Sequence, residues 1–152
     1  MATGDVTLFE EFVREIGEEI HNFPSDTLKC LLVDNGNPPA KTDATPRLAS
    51  YVGDEVGTGG GYTANGETLT SVDWLEAAGV ATLRADSFTL AQNGAGFTDA
   101  YWAIIYNDTA AADQAICFIE LGGPVSEVAG DVTIKFDGAA VGAPGAICTH
   151  SD

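Results

Sequence analysis

The stretch AYWAIIYNDTAAADQAICFIELG, residues 100–122, decides the fold class. Its two ends, residues 100–107 and 115–122, are apolar at odd and even positions alike and rich in aromatic and β-branched side chains. A strand apolar on both faces belongs in the middle of a sheet that is covered on both sides. Between the two runs stand Asn107, Asp108, Thr109 and Asp113, turn formers at a spacing that suits an antiparallel hairpin. Working outward, TLKCLLV (27–33), ETLTSVDW (67–74), GVATLRADSFTL (79–90) and DVTIKFDG (131–138) are predicted as further strands. The last of these alternates, with Val132, Ile134 and Phe136 inward and Asp131, Thr133 and Lys135 outward, as a strand with one wet face does. The predicted architecture is mainly β: an antiparallel β-sandwich or barrel crossed by one N-terminal amphipathic α-helix.

That helix is predicted over about residues 8–21. Leu8, Phe9, Phe12, Val13, Ile16 and Ile20 recur at three- and four-residue intervals on one side, while Glu10, Glu11, Glu15, Glu18 and Glu19 point away. Thr7 followed by Glu10 has the form of a capping box, and Pro24 forbids continuation. After the strand at 27–33 comes a long excursion to Tyr62 with several prolines and a glycine triplet, interrupted by a short predicted strand at RLASYV (47–52). Loops of that length in compact chains usually carry function. The whole chain, 1–152, reads as a single domain: the helix, a β-rich body over about 27–138, and a small-residue C-terminal tail over about 139–152 expected to be flexible.

Charge narrows the function classes. Twenty-three acids against 6 bases give a formal charge of −17, which phosphate backbones and anionic lipid surfaces would repel. Neither nucleic acid nor membrane is therefore an expected partner. Solubility accounts for such a charge, and so does pairing with a basic partner. Cys30, Cys117 and Cys148 are an odd count, and apolar runs hold two of them, so buried free thiols are expected. No basic segment followed by an apolar stretch opens the chain, and synthesis in a reducing cytoplasm is the expectation. Asn107–Asp108–Thr109 matches a glycosylation acceptor but reads more simply as a turn.

Chemistry finds little purchase. His21 reads as a helix-end residue and His150 lies in the tail, so no triad is expected. The cysteines lack zinc-ligand spacing. DNGN at 34–37 resembles the opening of a calcium loop, but the glycine and the distal glutamate are misplaced; a loosely held Ca²⁺ or Na⁺ competes there with an Asx turn. GTGGGYTANG at 57–66 is followed by a strand instead of a helix and has no lysine, so a tight corner is expected instead of a phosphate cradle. No enzyme, cofactor or resident metal is predicted.

Four segments together carry more information than any one motif: NFPSDTLKCLLV (22–33), GGGYTANGETLT (59–70), YWAIIYNDT (101–109) and IELGGPVSEVAGDVTIKFD (119–137). Their order resembles a widespread family of small structural proteins of tailed bacteriophages, over about residues 8–137. The resemblance implies a virion protein, with capsid decoration (cement) as the leading role. Such a protein sits on the outer surface of the head, commonly as a homotrimer, across joints between subunits of the major capsid protein. The alternative is a tail- or fibre-associated virion module that binds a host surface glycan through exposed tryptophans. The chain departs from the family pattern in its longer, more acidic 34–61 stretch and its acidic helix. Within that stretch Pro38, Pro39, Arg47, Tyr51 and Tyr62 are the candidate partner contacts, because prolines and tyrosines order cheaply on binding. The same residues would equally serve to cover the sheet's own edge.

Overall fold

The computed structural model describes residues 4–137 and 140–151. Residues 1–3, 138–139 and 152, which include the junction between the expected body and tail, lie outside the described residues. In chain order the elements are β1 (Val6–Leu8), α1 (Glu10–Gly17), β2 (Leu28–Val33), α2 (Leu48–Tyr51), β3 (Glu67–Thr68), β4 (Asp73–Ala77) and β5 (Val80–Asp86). They continue with β6 (Phe88–Leu90), β7 (Ala100–Asn107), β8 (Ala115–Val125), β9 (Val132–Ile134) and β10 (Pro144–Ser151). A five-stranded sheet runs β1-β8-β7-β2-β3; β10-β5-β4 and β6-β9 form two smaller sheets. All of the pairings between these strands are antiparallel.

The doubly apolar runs sit where their composition places them. In β7, Ile105 pairs with Cys30 of β2 and Cys117 of β8, and the next residue, Ile104, pairs with Leu31 and Phe118. Alternation sends these two rows to opposite faces. Cys30, Leu32, Ala103, Ile105, Cys117 and Ile119 join one core with Leu83 and Ala85 of β5, Leu90, Val132 and Ile134 of the two-stranded sheet, and Ile147 of β10. Leu31, Val33, Ile104, Tyr106 and Phe118 form a second core with Phe9 and Tyr51. The molecule is thus a sandwich around the first core, with the far face of its main sheet covered as well.

The N-terminal helix is shorter than the periodicity predicts. Leu8 pairs with Cys117 as the end of β1, and Phe9 is the N-cap with no side-chain cap bond, so the Thr7–Glu10 box is not formed. Strand pairing along β8 satisfies the backbone there, and it outcompetes a further helical turn. The six apolar residues are consequently divided: Phe9 enters the second core, Phe12 the first, and Val13 is 54% exposed. Glu10 and Glu11 stand in the first turn, where the helix dipole favours them, and Arg14 bridges Glu11 and Glu18.

Four further expectations are corrected. RLASYV is not a strand but α2 and the start of a 3-10 turn at Val52–Asp54, because Tyr51 must turn inward onto Phe9. GVATLRADSFTL is split at Ser87, which is buried and accepts the Phe136 N–H while the chain passes from one small sheet to the other. Residues 67–74 are split likewise into β3 and the start of β4. The tail, expected to carry no regular structure, forms a strand over its described length: β10 pairs along β5 from Pro144↔Asp86 to Ser151↔Val80, burying Ile147 and Cys148. Small residues such as Gly145 and Ala146 gave no periodic signal, yet they let this strand lie close against its neighbour.

Candidate interaction surface

The 34–61 excursion is fastened to the sheet at several points. Asp34 N–H donates to Asp54 O and Val56 N–H to Leu32 O, so the returning chain covers the edge of β2 that β3 leaves open. Leu48 N–H donates to Asp113 O, and Ala115 N–H to Pro46 O, fastening α2 to the β7–β8 hairpin. Tyr51 stacks on Phe9 at 6.0 Å between ring centres and donates its hydroxyl to Asp43 Oδ2 at 2.7 Å. Burial, with the Asp43 carboxylate beside it, pushes the Tyr51 hydroxyl pKa up.

Tyr62 is held more tightly. Its Oη accepts the Leu32 N–H at 2.9 Å and donates to Glu55 Oε1 at 2.9 Å, while its ring meets Phe97 edge-on. Burial raises its pKa as well. Tyr51 and Tyr62 are 2% and 3% exposed, and Pro39 is also buried. These three cover the sheet and offer no contact surface. Arg47 is half-buried, bridging Gln114 through its backbone, with its Nε buried and unpartnered. Pro38 is exposed, in an exposed ribbon with Asn35, Gly36 and Asn37. Of the five candidates the structure therefore leaves Pro38 fully on the surface and Arg47 partly so. Asn35, in the same ribbon, accepts the Trp102 indole N–H at 3.2 Å.

The glycine triplet encloses a carboxyl group that belongs to the protein itself, that of Glu127. Gly59 and Tyr62 exchange backbone hydrogen bonds in a tight corner, and Gly61 N–H donates to Glu127 Oε1 at 3.0 Å. Glu127 is fully buried and its Oε2 has no hydrogen-bond partner. That oxygen lies against the backbone of Gly60 and Gly96, where an added Cβ would stand 2.9 and 2.4 Å from it. Glycine is required at both positions by this approach.

His21 is not at a helix end, because α1 stops at Gly17. Its ring lies between Phe12 and Phe23, at 5.4 Å from each. Asn107 Nδ2 donates to its Nδ1 at 3.0 Å, so the ring proton sits on Nε2, which donates to Glu15 Oε2 at 3.2 Å. Asn107 Nδ2 also donates to Asp26 Oδ2, and its Oδ1 accepts the N–H groups of Thr109 and Ala110. Burial lowers the His21 pKa to about 4 against the pull of Asp26, and burial raises Glu15 to about 7, with Glu11 adding to the rise and Arg14 and Arg47 opposing it.

The two shifts act in opposite directions. A depressed histidine loses stability as pH falls from 6.5 toward 4, and a raised carboxyl loses it as pH rises from 4.5 toward 7. Between pH 4.5 and 6.5 the folded pair holds its proton on Glu15 and the unfolded pair on His21, so their joint contribution is flat. Glu15→Gln removes one half of this balance. The stability of that variant relative to the native chain is expected to fall by roughly 2–3 kcal/mol from pH 6.5 to pH 4.5, read by urea unfolding. A gap that stays constant would contradict the assignment.

Trp74 and Trp102 are half-buried and packed, Trp74 on Phe23 at 5.1 Å and Trp102 on Phe118 at 5.9 Å. Among the described residues, no group of three or more His, Cys, Asp or Glu side chains is placed to hold a metal ion. Large exposed apolar side chains among the described residues are Val13, Val52, Leu75, Val128 and Val141. Comparison with protein-family models, curated proteins and solved structures finds no match.

Proposed function

We propose that this chain is a structural virion protein of a tailed bacteriophage, a decoration protein that binds the outer surface of the head across major capsid protein subunits. The observation that carries the reading is the ordered set of phage-like segments, which fall on neighbouring elements: 28–33 is β2, 100–107 is β7, 115–125 is β8, and 132–134 is β9 on the opposing layer. The charge supports it. Four of the 6 bases, Arg14, Lys29, Lys41 and Arg84, already face carboxylates of the same chain, so most of the 23 acids remain for a basic partner.

A basic shell surface would meet these acids, and contact with several shell subunits at once would multiply weak contacts into firm attachment. Pro38 and the ribbon around it belong to the contact surface in this reading; the two tyrosines act beneath it as support. Glycan binding at a tail would call for a free indole face, and both indoles here are engaged. Quantitative mass spectrometry of purified particles tests the proposal. Hundreds of copies per particle are expected, with a trimer mass by light scattering for the isolated chain. Absence from the particle would overturn it, and a handful of copies would point to the tail.

A further inference from the structure

Asn35, Asn65 and Asn93 each precede a glycine. In an Asn-Gly pair the glycine nitrogen is able to close on the asparagine side-chain carbonyl and form a cyclic imide, because glycine puts no Cβ in the way. Folding usually blocks the closure by fixing the loop, so the surroundings of each pair decide its fate.

The Asn35–Gly36 pair follows β2 in the exposed ribbon, beside the groups that ring closure needs. Gly36 N–H, the nucleophile, donates to Asp34 Oδ1 at 2.7 Å, so a carboxylate already holds the proton to be removed. Asn35 Oδ1, where negative charge develops, accepts the Trp102 indole N–H at 3.2 Å. That donor is fixed: Trp102 pairs with Val33 in the main sheet, and its ring packs on Phe118. Asp34 N–H donates to Asp54 O and Asn37 Nδ2 to Ser50 O, which pins the ribbon on either side of the pair. Glycine is also what the site demands, since a Cβ at position 36 would stand 2.4 Å from Asp54 Oδ1. The other two pairs lack this set. Gly66 N–H donates to the Thr63 carbonyl, and the residue is buried, with an added Cβ 2.6 Å from Cys30 O. Asn93 Oδ1 accepts the Ala95 N–H at 2.9 Å, but among the described residues no carboxylate accepts the Gly94 N–H.

We propose that Asn35–Gly36 is a self-modifying site: the folded chain converts Asn35 to aspartate and isoaspartate, with Asp34 as base and the Trp102 N–H as oxyanion donor. The Gly36 nitrogen bonds to Asn35 Cγ while its proton passes to Asp34 Oδ1 and the carbonyl electron pair moves onto Asn35 Oδ1. The pair then returns, the Cγ–Nδ2 bond breaks, and Nδ2 takes the proton from Asp34 and leaves as ammonia. Water opens the resulting succinimide at either carbonyl. Asparagine amide and water are consumed, a carboxylic acid and ammonia are formed, and nothing is oxidised or reduced. The product adds a negative charge to a chain already at −17, in the ribbon that carries Pro38. The inference needs only the folded chain and does not rest on the proposed function.

The test incubates the full chain near neutral pH, folded and in guanidinium chloride, and follows each Asn-Gly peptide by mass spectrometry for the exchange of NH for O, with isoaspartate located by electron-transfer fragmentation. Asn35 is expected to react at least ~3-fold faster in the folded chain than in the denatured one, and at least ~10-fold faster than Asn65 in the folded chain. Asp34→Asn keeps an oxygen for the Gly36 N–H but removes the base, and Trp102→Phe keeps a ring on Phe118 but removes the donor. Each is expected to slow Asn35 in the folded chain by at least ~3-fold, and Trp102→Phe to leave the denatured rate unchanged. A folded rate at Asn35 equal to or below the denatured one, a faster reaction at Asn65 or Asn93, or either variant reacting as fast as the native chain would overturn the proposal.

Discussion

A chain ending at Ala143 is expected to lose at least about 5 kcal/mol of stability, most or all of what a domain of this size holds. Removing 144–152 strips β5 of one of its two antiparallel partners along its whole length and leaves only β4 beside it. It takes Ile147 and Cys148 out of the first core and uncovers Leu83 and Ala85, which are fully buried. Each large side chain contributes roughly 1.5–3 kcal/mol through burial, and the lost ladder bonds add to that. Circular dichroism and urea unfolding of the truncated chain read the effect directly: an aggregated or largely unfolded product is expected. A truncated chain within about 1 kcal/mol of the full one would mean that β10 is an ornament on the fold.

The second large effect is at Tyr62. Tyr62→Ala is expected to cost about 4 kcal/mol, within the range for deleting a buried aromatic ring. Tyr62→Phe keeps the ring beside Phe97 but leaves the buried Leu32 N–H and the Glu55 carboxylate without their partner, at about 1–3 kcal/mol. Equilibrium unfolding of the two variants separates ring burial from hydroxyl bonding. The pair also distinguishes support from contact. A residue that touches only a partner would leave the isolated chain's stability within about 0.5 kcal/mol of native, and that outcome would return Tyr62 to the surface.

These effects trace what was legible in the sequence. The central strands were, because Leu31, Ile104 and Phe118 on one face and Cys30, Ile105 and Cys117 on the other make runs without polar alternation, and only a sheet covered twice explains them. What the excursion covers on the two faces was not legible: Tyr51 joins the second core and Tyr62 the first. Tyr51 and Tyr62 lie among prolines, glycines and acids, a composition that reads as exposed loop, and their burial depends on partners such as Phe9 and Phe97 that are distant in sequence. Pro38 carried the same signal and did stay outside.

The buried polar groups were hidden for a related reason. Glu15 stands in a row of helix acids and nothing local separates it from Glu11 or Glu18; it turns inward because His21 and Asn107 complete its surroundings. Glu127 sits in VSEVAGD, with no periodicity to mark it, and its partner glycines come from two other loops. Odd cysteine count alone implied free thiols. The burial of Cys148 needed β10, and a tail of small residues gives no strand signal by itself.

The central claim is that this fold acts by occupying an assembly's surface, and cryo-electron microscopy of the virion tests it most directly. Density matching the five-stranded sheet is expected on the outer face of the head, each copy touching more than one shell subunit, with the ribbon around Pro38 at the contact. A head reconstructed to side-chain detail whose outer face carries no such density would contradict the account.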